Sequence, residues 1–373
     1  DTPKGHLTTL LTRITTSLAR IFEISRIVTV SSIVELRHLF MRYRRGPRER
    51  VCDIDVVYLW SDPSDPLWAE SRQQVLDGET RDDFCRIGIQ TKRPTDSLDE
   101  LRYSLRSVDQ YLKGIRLIYI VVDGQLPEWL DVDHPKIRVV EARDIITNPD
   151  HYPNYNTQAV ESYFFNIPGL SDRFIYFNDD FFLRREMNVG EFYASDGLIR
   201  VRLGRALSPK GAPSAEEEGD SAGHKNVNQL LDSCFGKHHR LTVMHRPYAH
   251  NKLLLEFASE RFPEAFEATR ASRFRSTSMH ALHSFLVPYL ACHAGCADLV
   301  PPRLLEKDMF CWGVSGPENS RVADRIRRMN GKAFCIQEER GVDIPHSEIE
   351  HFLQFMAELF PEPSQFELPG SGN

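Results

Sequence analysis

Arg173-Phe174-Ile175-Tyr176-Phe177-Asn178-Asp179-Asp180 joins a bulky apolar run to two adjacent carboxylates. Such a run suits a strand buried on both faces, the habit of parallel sheets. Two carboxylates at its end repel each other unless a cation or water separates them. Mg²⁺ and Mn²⁺ take oxygen ligands and share their shells with substrate phosphates. An acidic pair at a strand end is therefore the arrangement expected of a nucleotide-diphosphate site. Alone the signal is weak, because Asp-Asp in a loop serves equally as a turn or a helix cap.

The same pattern recurs upstream. Asp55-Val56-Val57-Tyr58-Leu59-Trp60 runs into the turn-rich Ser61-Asp62-Pro63-Ser64-Asp65-Pro66, and Leu117–Val122 ends at Asp123-Gly124. Ile137–Val140 is a shorter strand of the same kind. Ser97 and Glu100 have capping-box spacing, and Leu98, Leu101, Leu105, Val108 and Leu112 form one helical stripe. A second helix is predicted over Thr157–Asn166. Strands alternating with helices predict an α/β fold with a Rossmann-type, mostly parallel sheet. Ligands of such sheets bind at the carboxyl ends of the strands.

Of 373 residues, 41% are hydrophobic and 27% charged, which excludes collagen, wholesale disorder and a disulfide miniprotein. A formal charge of −7 argues against a nucleic-acid partner. The charge is uneven. Residues 1–50 carry ten Lys and Arg against four Asp and Glu, so the remainder holds 36 against 49. Leu10, Leu11, Ile14, Leu18, Ile21 and Phe22 recur at helical spacing between those arginines. They predict a basic helical arm, packed on the body or presented to anionic lipid or a partner protein.

No run of about 18 uncharged apolar residues occurs, and no leader with a small-residue cleavage site is visible. Seven cysteines without regular spacing fit a reducing compartment. The expected organisation is an arm over 1–50, a nucleotide-sugar-binding core over 51–207, a mobile low-complexity loop over 208–224 and a helical part over 225–373. That last part is expected to complete the active site.

Four separated blocks then bear on identity. The first is Ile54–Trp60 with Ser64-Asp65-Pro66. The second holds Asp99-Glu100-Leu101-Arg102-Tyr103-Ser104-Leu105-Arg106-Ser107 and Ile120-Val121-Val122-Asp123-Gly124-Gln125. It continues through Asn156-Thr157-Gln158-Ala159-Val160-Glu161-Ser162 and ends at Arg173–Asp180. The third runs from His245-Arg246-Pro247 through Phe262-Pro263-Glu264 to Arg273-Phe274-Arg275-Ser276, and the fourth is Phe334-Cys335-Ile336-Gln337-Glu338-Glu339. Together they resemble the Stealth family of sugar-1-phosphate transferases. That family includes bacterial capsular hexose-1-phosphate polymerases and the animal enzyme that transfers GlcNAc-1-phosphate to lysosomal glycoproteins. The compact length looks more like the bacterial members.

The resemblance implies a GT-A-like fold and a reaction. A UDP-linked donor, UDP-GlcNAc or UDP-ManNAc, passes hexose-1-phosphate to a saccharide hydroxyl and releases UMP. The product is phosphodiester-linked capsular or exopolysaccharide. Such transfer needs in-line positioning and charge neutralisation more than covalent chemistry. Asp179, Asp180 and Glu338 would hold Mg²⁺ or Mn²⁺, His245 would act as general base, and Arg275 would grip the β-phosphate. Asp55 and Trp60 would meet the base, and Arg102 and Arg106 the phosphates. Asp123 and Asn156 would also touch the donor. Arg102 and Arg106, one turn apart, equally fit a structural ion pair with Asp99 or Asp109, and Asn156 equally fits a helix cap.

The fourth block departs from the usual Cys-Ile/Leu-Asn-Asp, since Gln337-Glu338 stands there and its carboxylate reaches one methylene further. The implied location is cytoplasmic or peripheral at the inner membrane face, with residues 1–45 touching membrane or a capsule-assembly protein. Two other readings stay open: a glycosyltransferase that releases UDP, and a non-catalytic carbohydrate- or lipid-binding module. Cys292, His293, Cys296 and Cys311 fit no common zinc spacing. Walker, GxGxxG and GxSxG patterns are absent.

Overall fold

The computed structural model describes residues 53–79, 83–85, 98–300, 309–314, 319–329, 331–338 and 345–371. The basic arm expected over 1–50 lies outside them, as do Ser97 and Cys311's side chain.

The chain begins with β1 (Ile54–Leu59), α1 (Pro66–Gly78), α2 (Glu100–Tyr111), β2 (Leu112–Lys113), β3 (Ile118–Val122), β4 (Ile137–Glu141) and α3 (Ala142–Ile145). It continues through α4 (Thr157–Glu161), β5 (Arg173–Phe177), β6 (Phe181–Leu183), β7 (Met187–Asn188), β8 (Ile199–Leu207) and α5 (Gly219–Phe235). Next come β9 (Leu241–Val243), β10 (Tyr248–Asn251), α6 (Lys252–Arg261), α7 (Pro263–Ala271), α8 (Val287–His293) and β11 (Ala297–Val300). The last elements are β12 (Met309–Val314), α9 (Asn319–Arg328), β13 (Ala333–Glu338) and α10 (His346–Leu359).

The apolar runs form the predicted sheet. Its order is β10-β5-β1-β3-β4, with β5, β1, β3 and β4 parallel and β10 antiparallel on β5. Every residue of β3 is buried, as a strand covered on both faces requires. The parallel strands put Trp60, Asp123 and Asn178-Asp179-Asp180 at one edge of the sheet. Because β10 runs the other way, its first residue, Tyr248, pairs with Tyr176 near that same edge. His245, three residues earlier, is delivered there too.

Helix α2 fixes the turn after β5. Its apolar positions Leu101, Leu105 and Val108 are buried in the core. Two buried serines face β6 instead: Ser104 Oγ donates to Phe181 O at 2.6 Å, and Ser107 Oγ accepts from Leu183 N at 2.9 Å. A second sheet, β12-β13-β6, grows from the turn, with Cys335 opposite Phe181. Phe182, Phe334, Ile336, Phe352 and Phe360 make a separate small core beneath it. A third sheet has the order β11-β8-β9.

Four expectations change in detail. Asp99, with φ 54°, takes the N-cap position of α2, without the side-chain bond of a capping box. The helix predicted over Thr157–Asn166 stops at Glu161 and resumes as a single 3₁₀ turn, Phe164–Asn166. Ser162 Oγ bonds back to Ala159 O, and the Arg270 guanidinium takes the Ser162 carbonyl, so the ladder is diverted there. The loop predicted to residue 224 ends at Gly219, where α5 starts against Arg275; a Cβ at Gly219 would lie 2.8 Å from Arg275 Cβ. The part beyond it holds strands β9 to β13 besides its helices.

Candidate active site

The turn Asn178–Asp180 closes through a hydrogen bond from Phe181 N to Asn178 O at 3.2 Å, and Ile336 N of β13 donates to Asp180 O at 3.2 Å. Both acidic residues remain partly exposed. Around Asp180 the fold gathers residues from three distant segments. A carboxylate oxygen of Asp180, an imidazole nitrogen of His245 and the Cys335 sulfur all lie within 4.8 Å of one another. His245 Nδ1 sits 3.0 Å from the Tyr248 hydroxyl, and its ring packs edge-on against Phe181 with centroids 4.8 Å apart. Those two contacts fix the ring's orientation.

The donor set can be tested against a metal. A carboxylate, an imidazole and a thiol suit softer divalent ions, whereas Mg²⁺ wants oxygen. The oxygen donors of that kind here are the Asp179 and Asp180 carboxylates at the strand end. Glu338 ends β13, and its side chain lies outside the described residues.

Arg275 belongs to a second cluster, linked to the first through β5. Its Nη1 donates to Asp220 Oδ2 at 2.8 Å, and Gln158 Nε2 holds the other oxygen of Asp220 at 2.9 Å. The Asp220 carboxylate, ahead of the cost of burial, holds the guanidinium above its ordinary value. Beside it lies Glu161, buried, accepting from the Tyr176 hydroxyl at 2.8 Å. Burial pushes the Glu161 carboxyl up to about 7, against the pull of Tyr176 and Arg275. Tyr176 is held well above its usual value by burial, then by Glu161, then by Asp179 and Asp180. That field joins the two clusters.

The other expected residues fall into two groups. Trp60 and Asp123 stand at the carboxyl edge; Asp123 accepts from the Tyr152 hydroxyl at 2.6 Å. Gln125 cross-links the loops there, exchanging hydrogen bonds of 2.8 Å with Asp62 N and O. Asn156 is fully buried beside the Arg275 segment: its Nδ2 donates to Ser272 O at 3.2 Å, and its side chain does not cap α4.

Asp55 is placed differently from the expectation. It lies near the amino end of β1, fully buried, accepting from Arg116 Nε at 2.9 Å and from Ser171 N at 2.8 Å. Those groups consume the carboxylate at the edge opposite Asp180. Arg102 and Arg106 also turn inward. Glu367 receives Arg102 Nε at 2.8 Å and Arg106 Nε and Nη2 at 2.7 Å each. Both arginines are buried, which leaves them no donor phosphate to meet. The ion-pair alternative named Asp99, which does bond Arg102 at 3.3 Å, but Glu367 is the main partner.

Cys335, Glu161, Tyr176, Tyr248 and Asp220 are the site residues that motif reading did not assign. Glu161, Tyr176 and Cys335 already stood inside matched blocks, which was the available signal.

The Stealth conserved region 2 family model matches residues 94–201 and the conserved region 3 model residues 244–291. An exopolysaccharide phosphotransferase of Streptomyces coelicolor, SCO2594, is 35% identical over 327 residues, 85% of this chain and 52% of that protein. CpsY of Mycobacterium tuberculosis, also named an exopolysaccharide phosphotransferase, is 31% identical over 85% of this chain and 58% of its own length. The chain thus spans about half the length of these curated relatives. Among solved structures, the galactosyltransferase LgtC in complex with donor and acceptor sugar analogs overlaps with a TM-score of 0.41 at 12% identity. The overlap covers 84% of this chain and 98% of that one. A likeness that loose carries no argument. The chain therefore carries Stealth conserved regions 2 and 3, with Asp179 and Asp180 inside the first and His245 and Arg275 inside the second.

Proposed function

We propose that this chain transfers hexose-1-phosphate from a UDP-sugar to a saccharide hydroxyl, releasing UMP and forming a phosphodiester in an exopolysaccharide. One observation carries the reading. Asp180 and His245, far apart in sequence, meet within 4.8 Å at the carboxyl edge of a parallel sheet. That edge is where such sheets bind ligands. The names of the relatives and the two matched regions support the same class.

Asp179 and Asp180 would hold Mg²⁺ or Mn²⁺, which supplies charge neutralisation to the diphosphate; Glu338 is the further carboxylate proposed for that task. Trp60 and Asp123, at the same edge, are proposed to meet the nucleoside. His245 offers a proton route in one of its two tautomers. The tautomer that donates Nδ1–H to the Tyr248 oxygen carries its lone pair on Nε2. Nε2 then takes the acceptor proton as the acceptor oxygen attacks the β-phosphorus. The bond from that phosphorus to the bridging oxygen breaks, and UMP departs with the bridging oxygen. Arg275, anchored by Asp220, directs its remaining N–H groups to the equatorial phosphoryl oxygens as charge develops.

The test is a screen of UDP-sugars with Mg²⁺ and oligosaccharide acceptors, with the released nucleotide identified. UMP is expected; UDP would mean attack at the sugar carbon and a glycosyltransferase. Asp180→Ala and His245→Ala should each lower turnover by about 10² or more. Turnover that survives both substitutions removes the mechanism.

A further inference from the structure

Cys335 has no task in the transfer described above, yet the fold brings its sulfur to the centre of the site. The sulfur, an imidazole nitrogen of His245 and a carboxylate oxygen of Asp180 all lie within 4.8 Å of one another. Among the described residues this is the only group of three His, Cys, Asp or Glu side chains gathered so closely. Cys335 is fully buried, whereas Asp180 and His245 are partly exposed.

The surrounding structure fixes all three before any ion arrives. Cys335 stands opposite Phe181 in the register of β13 on β6, and Ile336 N donates to Asp180 O at 3.2 Å. The His245 ring is set by the Tyr248 hydroxyl at 3.0 Å and by the Phe181 ring at 4.8 Å. A site held by strand pairing loses little freedom on taking up a metal.

The donors decide which metal. Magnesium takes oxygen, keeps several of its waters and gains little from sulfur or imidazole. Zinc accepts sulfur, nitrogen and oxygen together, at about 2.3 Å for sulfur and about 2.0–2.2 Å for the other two. A tetrahedral ion at those lengths holds its donors roughly 3.3–3.6 Å apart. No pair here therefore has to close by more than roughly 1.5 Å, within reach of side-chain rotation. Three protein ligands with water in the fourth position is a coordination that zinc commonly adopts.

We propose that Asp180, His245 and Cys335 form a binding site for a thiophilic divalent cation, zinc, and that zinc seated there blocks the transfer. The blockade rests on the reaction proposed above; the binding does not. As the sulfur–zinc bond forms, the thiol proton leaves to water. Zinc would then hold the Asp180 carboxylate that magnesium needs and an imidazole nitrogen of the proposed base. The enzyme would respond to the ratio of zinc to magnesium.

Cobalt(II) reports on such a site directly, because a cobalt–thiolate bond gives a charge-transfer absorption that oxygen and nitrogen ligands do not. Metal-free protein titrated with cobalt should gain that absorption, and zinc should displace it. Cys335→Ser should remove it. Cys234→Ser, at a half-buried thiol on α5, should leave it in place. Absorption that survives Cys335→Ser belongs to another thiol and overturns the site. His245→Gln should weaken zinc binding by about tenfold or more, measured by competition with a chromophoric chelator. Should Cys335→Ser fail to fold, unchanged zinc affinity in His245→Gln rejects the site. In the transfer assay with magnesium, the zinc concentration that halves the rate should rise at least tenfold in Cys335→Ser. Equal sensitivity of variant and wild type overturns the blockade. If wild type shows no transfer, the cobalt titration by itself upholds or rejects the site.

Discussion

Arg102 and Arg106 on α2 and Arg275 after α7 look alike in the sequence: arginines inside matched blocks, suited to a diphosphate. The fold treats them oppositely. The first two meet Glu367 in a clamp whose side chains are 8%, 1% and 1% exposed. Arg106 also reaches Phe360 O at 3.0 Å, and Arg102 reaches the Ser371 carbonyl. Arg275 keeps 20% of its side chain exposed and pairs with an Asp220 that is 44% exposed. What separates a structural arginine from a candidate phosphate ligand is whether the protein itself supplies the buried anion.

The largest expected effect breaks the clamp. Glu367→Ala leaves two buried guanidiniums without their carboxylate and should cost about 3–5 kcal/mol of stability, read by urea unfolding. Transfer per folded molecule should persist, since Glu367 lies beyond both matched regions. Activity lost in step with a fully folded population would return the arginines to the donor site. Burial alone raises the Glu367 carboxyl, but hydrogen bonds from Arg106, Ser364 N and Arg102 bring it down to about 2. Its stabilisation is therefore complete above the ordinary carboxylate value and is lost as pH falls through about 2.

Next in size is Arg275→Ala. Loss of a donor aimed at developing charge should lower kcat/KM by about 10²–10³. Unfolding should move by about 1 kcal/mol or less, because Asp220 already faces water. Arg275→Lys should recover little, lacking the planar fork. A large stability loss with intact turnover would make Arg275 a second clamp and end the contrast.

Strands β1, β3, β4 and β5 were legible because each is built on a short, mostly apolar run, and such runs depend on local sequence alone. The active edge followed from strand direction, and that rule should have placed Asp55 at the wrong end: it precedes the apolar run, whereas Asp123 and Asp180 follow theirs. Partners were harder to read. Glu367 lies 261 positions from Arg106, in a segment with no periodicity. Tyr248 joins His245 only because β10 runs antiparallel, a fact of pairing that no local pattern shows. Cys335 reaches Asp180 through the register of β13 on β6, although block four departs from the usual Cys-Ile/Leu-Asn-Asp.

The smallest effect sharpens the comparison through two buried carboxyls of opposite sign. Glu367, ringed by arginines, stabilises the fold when ionised, whereas Glu161, pushed up to about 7 by burial, destabilises it when ionised. The folded chain keeps the Glu161 proton between the ordinary value of 4.5 and about 7, while the unfolded chain releases it. Stability contributed by this residue therefore falls as pH rises through that window and levels off above it. Glu161→Gln removes the slope. The variant should match the parent near pH 4.5 and gain up to roughly 3 kcal/mol on it by pH 8. Paired denaturant titrations across that range decide the point. A constant difference between the two proteins would mean that Arg275 holds Glu161 ionised, and the two clusters would then share one logic: an arginine whose anion the fold provides.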